Sequence, residues 1–199
     1  MHDPVRVYQD FATVDLISRG RAEITVGRSA FIEPFALFGY DTSDYDALFA
    51  EKLDLLLQIR SQERVSWSGR YRPALTDAAI IPRAMQDPLP VWVGVGGTVS
   101  SAERAGRLGL PMTLGYVGGT LAHLHPLVDA YRAAGDRAGH PGKLRLGLST
   151  HLYAGADPAA ARAVYPHYYA ATSRESATMI GSAEEITAGE SQILLRRVR

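Results

Sequence analysis

The stretch that decides the fold is residues 91–116, VWVGVGGTVSSAERAGRLGLPMTLGY. It begins within an almost unbroken apolar run over 90–97, which is typical of a strand buried on both faces. A helix is predicted over about 99–108 and a second strand over 110–119. The turn 96–98, Gly-Gly-Thr, stands where the first strand meets the helix. This turn either only reverses the chain or also holds a phosphate group.

The alternation of helix and strand continues on both sides of this unit. Upstream we predict a helix from Asp3 to Gly20, a strand at 21–28, a helix at 44–60 and a small β excursion at 65–75. Downstream we predict a helix at 120–138, a strand at 143–155, a helix from Asp157, a short helix at 181–186 and a last strand at 191–198. This order demands an α/β fold with a parallel sheet. A (β/α)8 barrel typically needs about 250 residues and eight strands, so either the sheet is open or the front of a barrel is missing.

The composition is that of an ordinary globular protein, 46% hydrophobic and 21% charged over 199 residues, and it predicts one domain, 1–199. The 21 basic and 21 acidic residues balance, which argues against a nucleic acid or an anionic membrane as the main partner. The chain has no cysteine, which excludes disulfides and fits the cytosol. The start, MHDPVRVYQDF, lacks the apolar core of a signal peptide, and no apolar run has the length of a membrane span. We therefore expect a cytoplasmic protein.

Two familiar phosphate-binding motifs do not match the turn at 96–98. The dinucleotide fingerprint G-x-G-x-x-G fails because Val99 stands where the third glycine is required, and no Gly-Lys-Ser/Thr of a Walker loop occurs. The start of a helix nevertheless attracts phosphate through its amides and partial positive charge. Thr98, Ser100 and Ser101 add hydroxyl donors there. The alternative is that Thr98 only caps the helix, as Thr commonly does.

Three segments, in the same order and spacing, resemble the luciferase-like flavin-dependent monooxygenases. SAERAGRLGLPMTLGY at 101–116 is similar to the corresponding line of bacterial luciferase α chains. The segment 3–41 looks like the third helix, the fourth strand and the following loop of that family. VSWSGRYRPAL through PRAMQDPLPVWVG, at 65–94, looks like its lead-in to the fifth strand. Together these segments cover most of residues 1–155.

The resemblance implies a TIM barrel that binds reduced FMN, with coenzyme F420 as the alternative. It implies a monooxygenase that uses molecular oxygen on a small organic substrate and receives reduced flavin from a separate flavin reductase. Thr98 and Ser101 take the places of hydroxyls that hold the flavin phosphate, beside Gly96 and Gly97. Arg28 matches an arginine near the phosphate and the flavin ring. Independently of the family, a guanidinium after an inner strand can bind phosphate in a bidentate manner.

The chain departs from the family at its front, because the luciferase residues most involved in substrate chemistry follow the first barrel strands. We therefore expect an incomplete barrel containing roughly strands 4 to 8 and name no catalytic residue. A non-catalytic flavin-binding relative and a fragment of a longer protein stay open as alternatives. A barrel without its front strands exposes strand edges and apolar faces, so we expect a homo-oligomer.

The remaining candidates are histidines and aromatic residues. His123 and His125 are two positions apart and do not share a helix face, and we expect no metal site. His151 lies late in a predicted strand and either faces the active site or is a hydrogen-bonded core residue. His2, His140 and His167 have simpler surface interpretations. Phe31, Phe35 and Phe38 either line a site for a flavin or an apolar substrate or pack a long loop.

Overall fold

The structure, a computed structural model, describes residues 2–28, 33–116, 121–150 and 157–173. The elements predicted at 181–186 and 191–198, and the residues Phe31 and His151, lie outside the described residues. The chain divides into two compact units, Met1–Gly94 and Val95–Arg199. The single domain over 1–199 stays a prediction.

The first unit combines helices with a parallel strand pair and a hairpin. Its helices are α1 (Pro4–Ser18), α2 (Glu33–Leu37), a 3-10 turn (Thr42–Asp44) and α3 (Tyr45–Ser61). Its strands are β1 (Ile24–Val26), β2 (Arg64–Trp67), β3 (Leu75–Ala79) and β4 (Val91–Val95), the last of which ends where the second unit begins. β1 and β4 pair in parallel with Ile24 opposite Val91, as the α/β prediction requires. The excursion predicted at 65–75 is the antiparallel hairpin β2–β3.

Helix α1 begins and ends as predicted, for local reasons. The carboxylate of Asp3 accepts a hydrogen bond from the amide of Val5 at 2.9 Å, and Pro4 occupies the first turn, where no amide donor is needed. The helix ends at Arg19, which adopts the left-handed conformation at φ 58°, followed by Gly20 at φ 79°. Cap and terminator are both read from the sequence alone because each acts within a few residues.

The buried face of α1 differs from the predicted apolar stripe. The near-helical spacing of Val7, Phe11, Val14, Leu16 and Ile17 in the sequence predicts an apolar stripe, but Val14, Leu16 and Ile17 are 52%, 42% and 79% exposed. The buried residues are Pro4, Tyr8, Ala12 and Asp15. The prediction was wrong because the helix places a polar residue in the core and satisfies it there, which an apolar pattern does not reveal.

That polar residue, Asp15, is fully buried and holds three parts of the first unit together. Its carboxylate accepts hydrogen bonds from the amide of Gln86 at 2.8 Å, from the Gln86 side chain at 2.7 Å and from the amide of Ala22 at 3.2 Å. Burial alone raises the pKa of Asp15, but the hydrogen bonds from Gln86, Ala22 and Met85 outweigh it and hold the pKa below its usual value. The contact with Ala22 also accounts for β1 starting at Ile24 rather than at the predicted residue 21.

Helix α3 follows its sequence pattern closely. Leu48, Leu53 and Leu56 are buried as predicted, whereas Leu57 is only partly buried. Leu55 and Ile59 complete the buried face. Burial of a leucine side chain contributes about 1.5–3 kcal/mol, so this face is a main source of stability in the first unit.

The second unit contains the elements that follow β4. They are α4 (Val99–Arg107), β5 (Met112–Tyr116), a 3-10 helix (Leu121–Leu124), α5 (His125–Arg137), β6 (Leu146–Thr150) and α6 (Pro158–Ser173). β5 and β6 pair in parallel, with Met112 opposite Leu146. Asp157 caps α6 through the amides of Ala159 and Ala160, as Asp3 does for α1.

Helices α4 and α5 pack backbone to backbone. A Cβ atom at Gly106 of α4 would overlap the carbonyl oxygen of Tyr131 and lie 3.0 Å from the Cβ atom of Ala134. The hydroxyl of Tyr131 donates toward the carbonyl oxygens of Leu110 at 2.8 Å and Arg145 at 2.9 Å, just before β5 and β6. The start of α4 therefore rests on a helix pair that is fixed to the strand ends of the same unit.

Candidate functional site

The turn between β4 and α4 brings together the hydroxyl pair that the sequence predicted. Thr98 precedes α4 with extended backbone angles, φ −95° and ψ 128°, so it occupies the N-cap position. Its hydroxyl oxygen lies 2.7 Å from that of Ser101, one turn later. Ser101 is 5% exposed, whereas Thr98 and Ser100 are exposed. The i, i+3 pairing expected of these two hydroxyls is present.

The position of Thr98 bears on the capping alternative. An N-cap threonine stabilises a helix when its side-chain oxygen accepts an amide hydrogen bond in the first turn. The side chain of Thr98 makes no such capping hydrogen bond, although its backbone is in the capping position. The hydroxyl is directed to Ser101 instead.

The two glycines of the turn are not required by backbone strain or by crowding. Neither Gly96 nor Gly97 has a φ in the left-handed region, and a Cβ atom at either position would meet no atom within 4 Å. A residue with a side chain could adopt this backbone without strain. The glycines leave open space next to the start of α4, which is the shape that an approaching phosphate needs.

The electrostatics of α4 favour an anion at this end. The first turn of α4 contains no acidic side chain, while Arg104 and Arg107 lie in its last turn. Aligned peptide dipoles place partial positive charge at the start of a helix. The turn therefore combines hydroxyl donors, backbone space and positive potential.

Arg28 lies in the first unit, two residues after the end of β1. Its side chain is 15% exposed and forms an ion pair with Asp46. The guanidinium also lies 4.7 Å from the ring centroid of Tyr45, and that ring stacks on Phe35 with centroids 5.5 Å apart. Arg28 is thus held in place by an ion pair on one side and an aromatic ring on another.

The partners of Arg28 are not apparent from the sequence pattern. Tyr45 and Asp46 begin α3, and the sequence offered them only as the start of a helix. They lie 17 and 18 residues after Arg28, so no local motif links them. Of the predicted aromatic wall, Phe35 is buried and Phe38 is 54% exposed.

The histidines that lie in the described ranges have surface or packing positions. His123 stacks on the buried Tyr116 with ring centroids 5.9 Å apart. His2, His125 and His167 are exposed, and His140 is partly buried. Over 2–28, 33–116, 121–150 and 157–173, no group of three or more His, Cys, Asp or Glu side chains could hold a metal ion. Within those same ranges, no helix combines the length and apolar character needed to cross a membrane.

Comparison with known proteins gives a family match over nearly the whole chain. A family model described as luciferase-like monooxygenase matches residues 1–196. The F420-dependent glucose-6-phosphate dehydrogenase of Amycolatopsis mediterranei is 33% identical over 111 residues, which cover 54% of this chain and 32% of that protein.

Two solved structures share the fold. Monooxygenase RslO1 from Streptomyces bottropensis aligns with a TM-score of 0.78 at 23% identity, covering 96% of this chain and 63% of that one. The oxygenating constituent of 3,6-diketocamphane monooxygenase from Pseudomonas putida, in complex with FMN, aligns with a TM-score of 0.59 at 17% identity, covering 73% and 44%. These likenesses confirm the predicted α/β fold, and an incomplete barrel agrees with them. The chain spans only part of the length of each of these proteins.

Proposed function

Because the model of the luciferase-like monooxygenase family matches residues 1–196, the chain belongs to that family. From this premise we propose that it acts as a flavin-dependent oxidoreductase. The proposed reaction is the oxygenation of a small organic substrate with reduced FMN and molecular oxygen. The family match is the observation that carries the proposal. The geometry at the start of α4 supports the assignment of the phosphate site.

The residues present suit a flavin phosphate. Gly96 and Gly97 leave space for it, and the hydroxyls of Thr98 and Ser101 lie at hydrogen-bonding distance from each other, so one phosphate oxygen can reach both. Arg28 is proposed to supply positive charge, with its guanidinium oriented by Asp46 and Tyr45. Each hydrogen bond to a charged phosphate contributes about 1.5–3 kcal/mol.

The bound cofactor would supply the two reducing electrons, and the protein supplies binding, orientation and exclusion of water. Thr98 and Ser101 would fix the phosphate end of the flavin, and the rigid α4–α5 pair would keep that anchor in place. No described residue is assigned a proton transfer. Reduced flavin is proposed to arrive from a separate reductase.

Coenzyme F420 is a second candidate, favoured by the F420-dependent relative that is 33% identical over 111 residues. F420 is a deazaflavin that also carries a phosphate in its side chain, so the same turn would hold it. The two cofactors predict different chemistry, because a deazaflavin transfers hydride without oxygen. Oxygen consumption in the presence of substrate therefore separates the two candidates.

The phosphate assignment is tested by titrating FMN and riboflavin, reduced and oxidised, into the chain and its variants. Thr98→Ala should weaken FMN binding by about tenfold and leave riboflavin binding unchanged, because riboflavin lacks the phosphate. Thr98→Ser keeps the hydroxyl and should bind FMN like the wild type. Titration of F420 and of its phosphate-free chromophore asks the same question of the deazaflavin.

Arg28→Ala should show the same selectivity for FMN over riboflavin. The matched control is Arg6→Ala, because Arg6 also pairs with an aspartate, Asp10, but is 72% exposed on α1. Equal losses of FMN and riboflavin in either site variant would place the phosphate elsewhere.

We also propose that copies of the chain associate. The exposed residues Val14 and Ile17 on α1 support this, because contiguous exposed apolar residues favour association. Sedimentation velocity should show a dimer or a larger species that Ile17→Glu dissociates. A wild type that sediments as a monomer at every concentration would contradict this.

A further inference from the structure

The first unit contains a cavity that shares Arg28 with the proposed phosphate site and is otherwise lined by side chains to which the proposed function gives no role. Its volume is about 560 Å³, and it is lined by residues of α1, β1 and α3 and of the segment around α2. Small-molecule sites in proteins measure about 300–1,000 Å³, so one small ligand would fill it. Most of its lining side chains are apolar, and five of them are aromatic: Phe11, Phe35, Phe38, Tyr45 and Phe49.

The five aromatic side chains together are called the aromatic wall of the cavity. Phe35 and Tyr45 stack with ring centroids 5.5 Å apart and an interplanar angle of 29°. Phe38 lines the same cavity and is 54% exposed, a high value for a phenylalanine that has only packing to do. Aromatic faces pack best against another aromatic ring in an offset or edge-on arrangement.

One cation in the lining, Lys52, has only neutral hydrogen-bond partners among the described residues. The ammonium of Lys52 donates to the hydroxyl of Tyr40 at 3.1 Å and to the carbonyl oxygen of His2 at 3.3 Å, both neutral acceptors. It also lies 4.7 Å from the Tyr40 ring centroid. Within the described ranges of the chain, no carboxylate forms an ion pair with Lys52, whereas the other cation of the cavity, Arg28, pairs with Asp46.

An ammonium group has three hydrogen-bond donors. Lys52 uses two of its donors in hydrogen bonds to described residues. The third donor and the uncompensated charge favour an anionic group at this end of the cavity, because a partly buried charge is stabilised by an opposite one. We propose that the cavity binds a small aromatic carboxylate, with its carboxylate on Lys52 and its ring against the aromatic wall. The cavity lies in the first unit and the phosphate turn in the second, and Arg28, which lines the cavity, is also proposed to act at the phosphate.

The test uses 2-naphthoate and its neutral isostere 2-naphthamide, titrated by calorimetry into the full chain without flavin. Naphthoate should bind at least about tenfold more tightly than naphthamide, the size of one hydrogen bond between charged groups. Lys52→Met should lower naphthoate affinity to that of naphthamide, and Lys52→Arg should keep the preference. The matched control is Lys143→Met, because Lys143 is the only other lysine of the sequence and is exposed outside the cavity.

A second variant tests the volume independently of the charge. Val7 lines the cavity, and Val7→Trp should fill it and weaken both ligands by about tenfold or more while the melting temperature shows that the variant folds. Thr98→Ala should leave naphthoate binding unchanged. The proposal of a flavin phosphate site can therefore be wrong while the proposal of a carboxylate site in the cavity is right.

Three outcomes would overturn the inference. Naphthoate affinity that is unchanged in both Lys52→Met and Val7→Trp would place the ligand elsewhere. Equal loss of naphthoate and naphthamide in Lys52→Met would remove the role of the charge. Competitive displacement of naphthoate by riboflavin would assign the cavity to the flavin ring.

Discussion

Helices α1 and α4 begin with the same kind of sequence signal, a capping residue before an amphipathic run, yet their first turns differ. At α1 the carboxylate of Asp3 accepts the amide hydrogen bond of Val5. At α4 the hydroxyl of Thr98 makes no capping bond and pairs with Ser101, beside two glycines with open space at their Cβ positions. The first arrangement stabilises the helix, and the second joins two hydroxyls at the turn that we propose to hold a phosphate. A capping residue type alone does not tell the two apart.

The largest expected effect is on stability and comes from a substitution in helix α1. Asp15→Ala removes the carboxylate that accepts three hydrogen bonds and leaves the donors of the partly buried Gln86 and the buried Ala22 without it. The free energy of unfolding should fall by about 3 kcal/mol, measured by urea denaturation. The control is Asp10→Ala on the same helix, whose side chain is 59% exposed and which should cost less than about 0.5 kcal/mol. Equal losses in the two variants would mean that the buried network contributes nothing.

The next largest effect is on ligand binding at the start of helix α4. Gly97→Asp should weaken FMN binding by at least about a hundredfold through repulsion of the phosphate, while riboflavin affinity stays the same. The melting temperature should not fall, because a Cβ atom at position 97 meets nothing within 4 Å. Gly97→Ala should lie between wild type and Gly97→Asp. A Gly97→Asp variant that binds FMN normally would remove the distinction between the two helices.

A smaller effect compares the N-cap positions of the two helices, Asp3 and Thr98, directly. Asp3→Ala loses both the cap and the hydrogen-bonded ion pair with Arg72 at 3.0 Å, whereas Asp3→Asn keeps a capping oxygen and loses only the charge. The difference between these variants should be about 1 kcal/mol of unfolding free energy. Thr98→Ala should change stability by less than about 0.5 kcal/mol, since its side chain makes no capping bond. A loss at Thr98 as large as that at Asp3 would show that both residues cap.

The smallest effect is in the acid range. The pKa of Asp15 is lower in the folded chain than in the unfolded one, so the folded state favours its ionised form. The stability that this ionised carboxylate contributes is therefore fully present above the unfolded value, about 3.9, and is lost as pH falls through the folded pKa. The difference in unfolding free energy between wild type and Asp15→Ala should shrink below about pH 4. A difference that stays constant down to pH 2 would contradict the assigned ionisation.

The sequence predicted the parts of this comparison that depend on neighbouring residues. Asp3-Pro4 and Asp157-Pro158 marked helix starts, and both aspartates cap as expected. The buried face of α1 was predicted wrongly, because burial of Asp15 depends on Gln86, 71 residues later. The ion pair of Arg28 with Asp46 likewise joins residues 18 apart. Contacts of that separation are set by packing of the whole unit, and a local pattern does not contain them.

The sequence pattern was also insufficient to decide the role of Thr98 at the start of α4. On the stretch 96–101 alone, capping was the favoured role of Thr98, and the family resemblance favoured phosphate binding; both roles need a hydroxyl at that position. The contact between Thr98 and Ser101 followed from helical spacing and is present. The direction of the hydroxyl depended on the backbone angles of the turn, which are a property of the folded chain.

The close packing at Gly106 has a consequence for how a ligand would arrive. With Gly106 against the Tyr131 carbonyl, we expect α4 to have little room to rotate or slide along α5 and its first turn to be ordered before an anion arrives. Little conformational entropy is then left to lose on association, and the encounter is governed by diffusion and charge rather than by a slow rearrangement. A chain with a larger residue at position 106 would keep the same hydroxyls and glycines, yet would have to order them anew with each binding event.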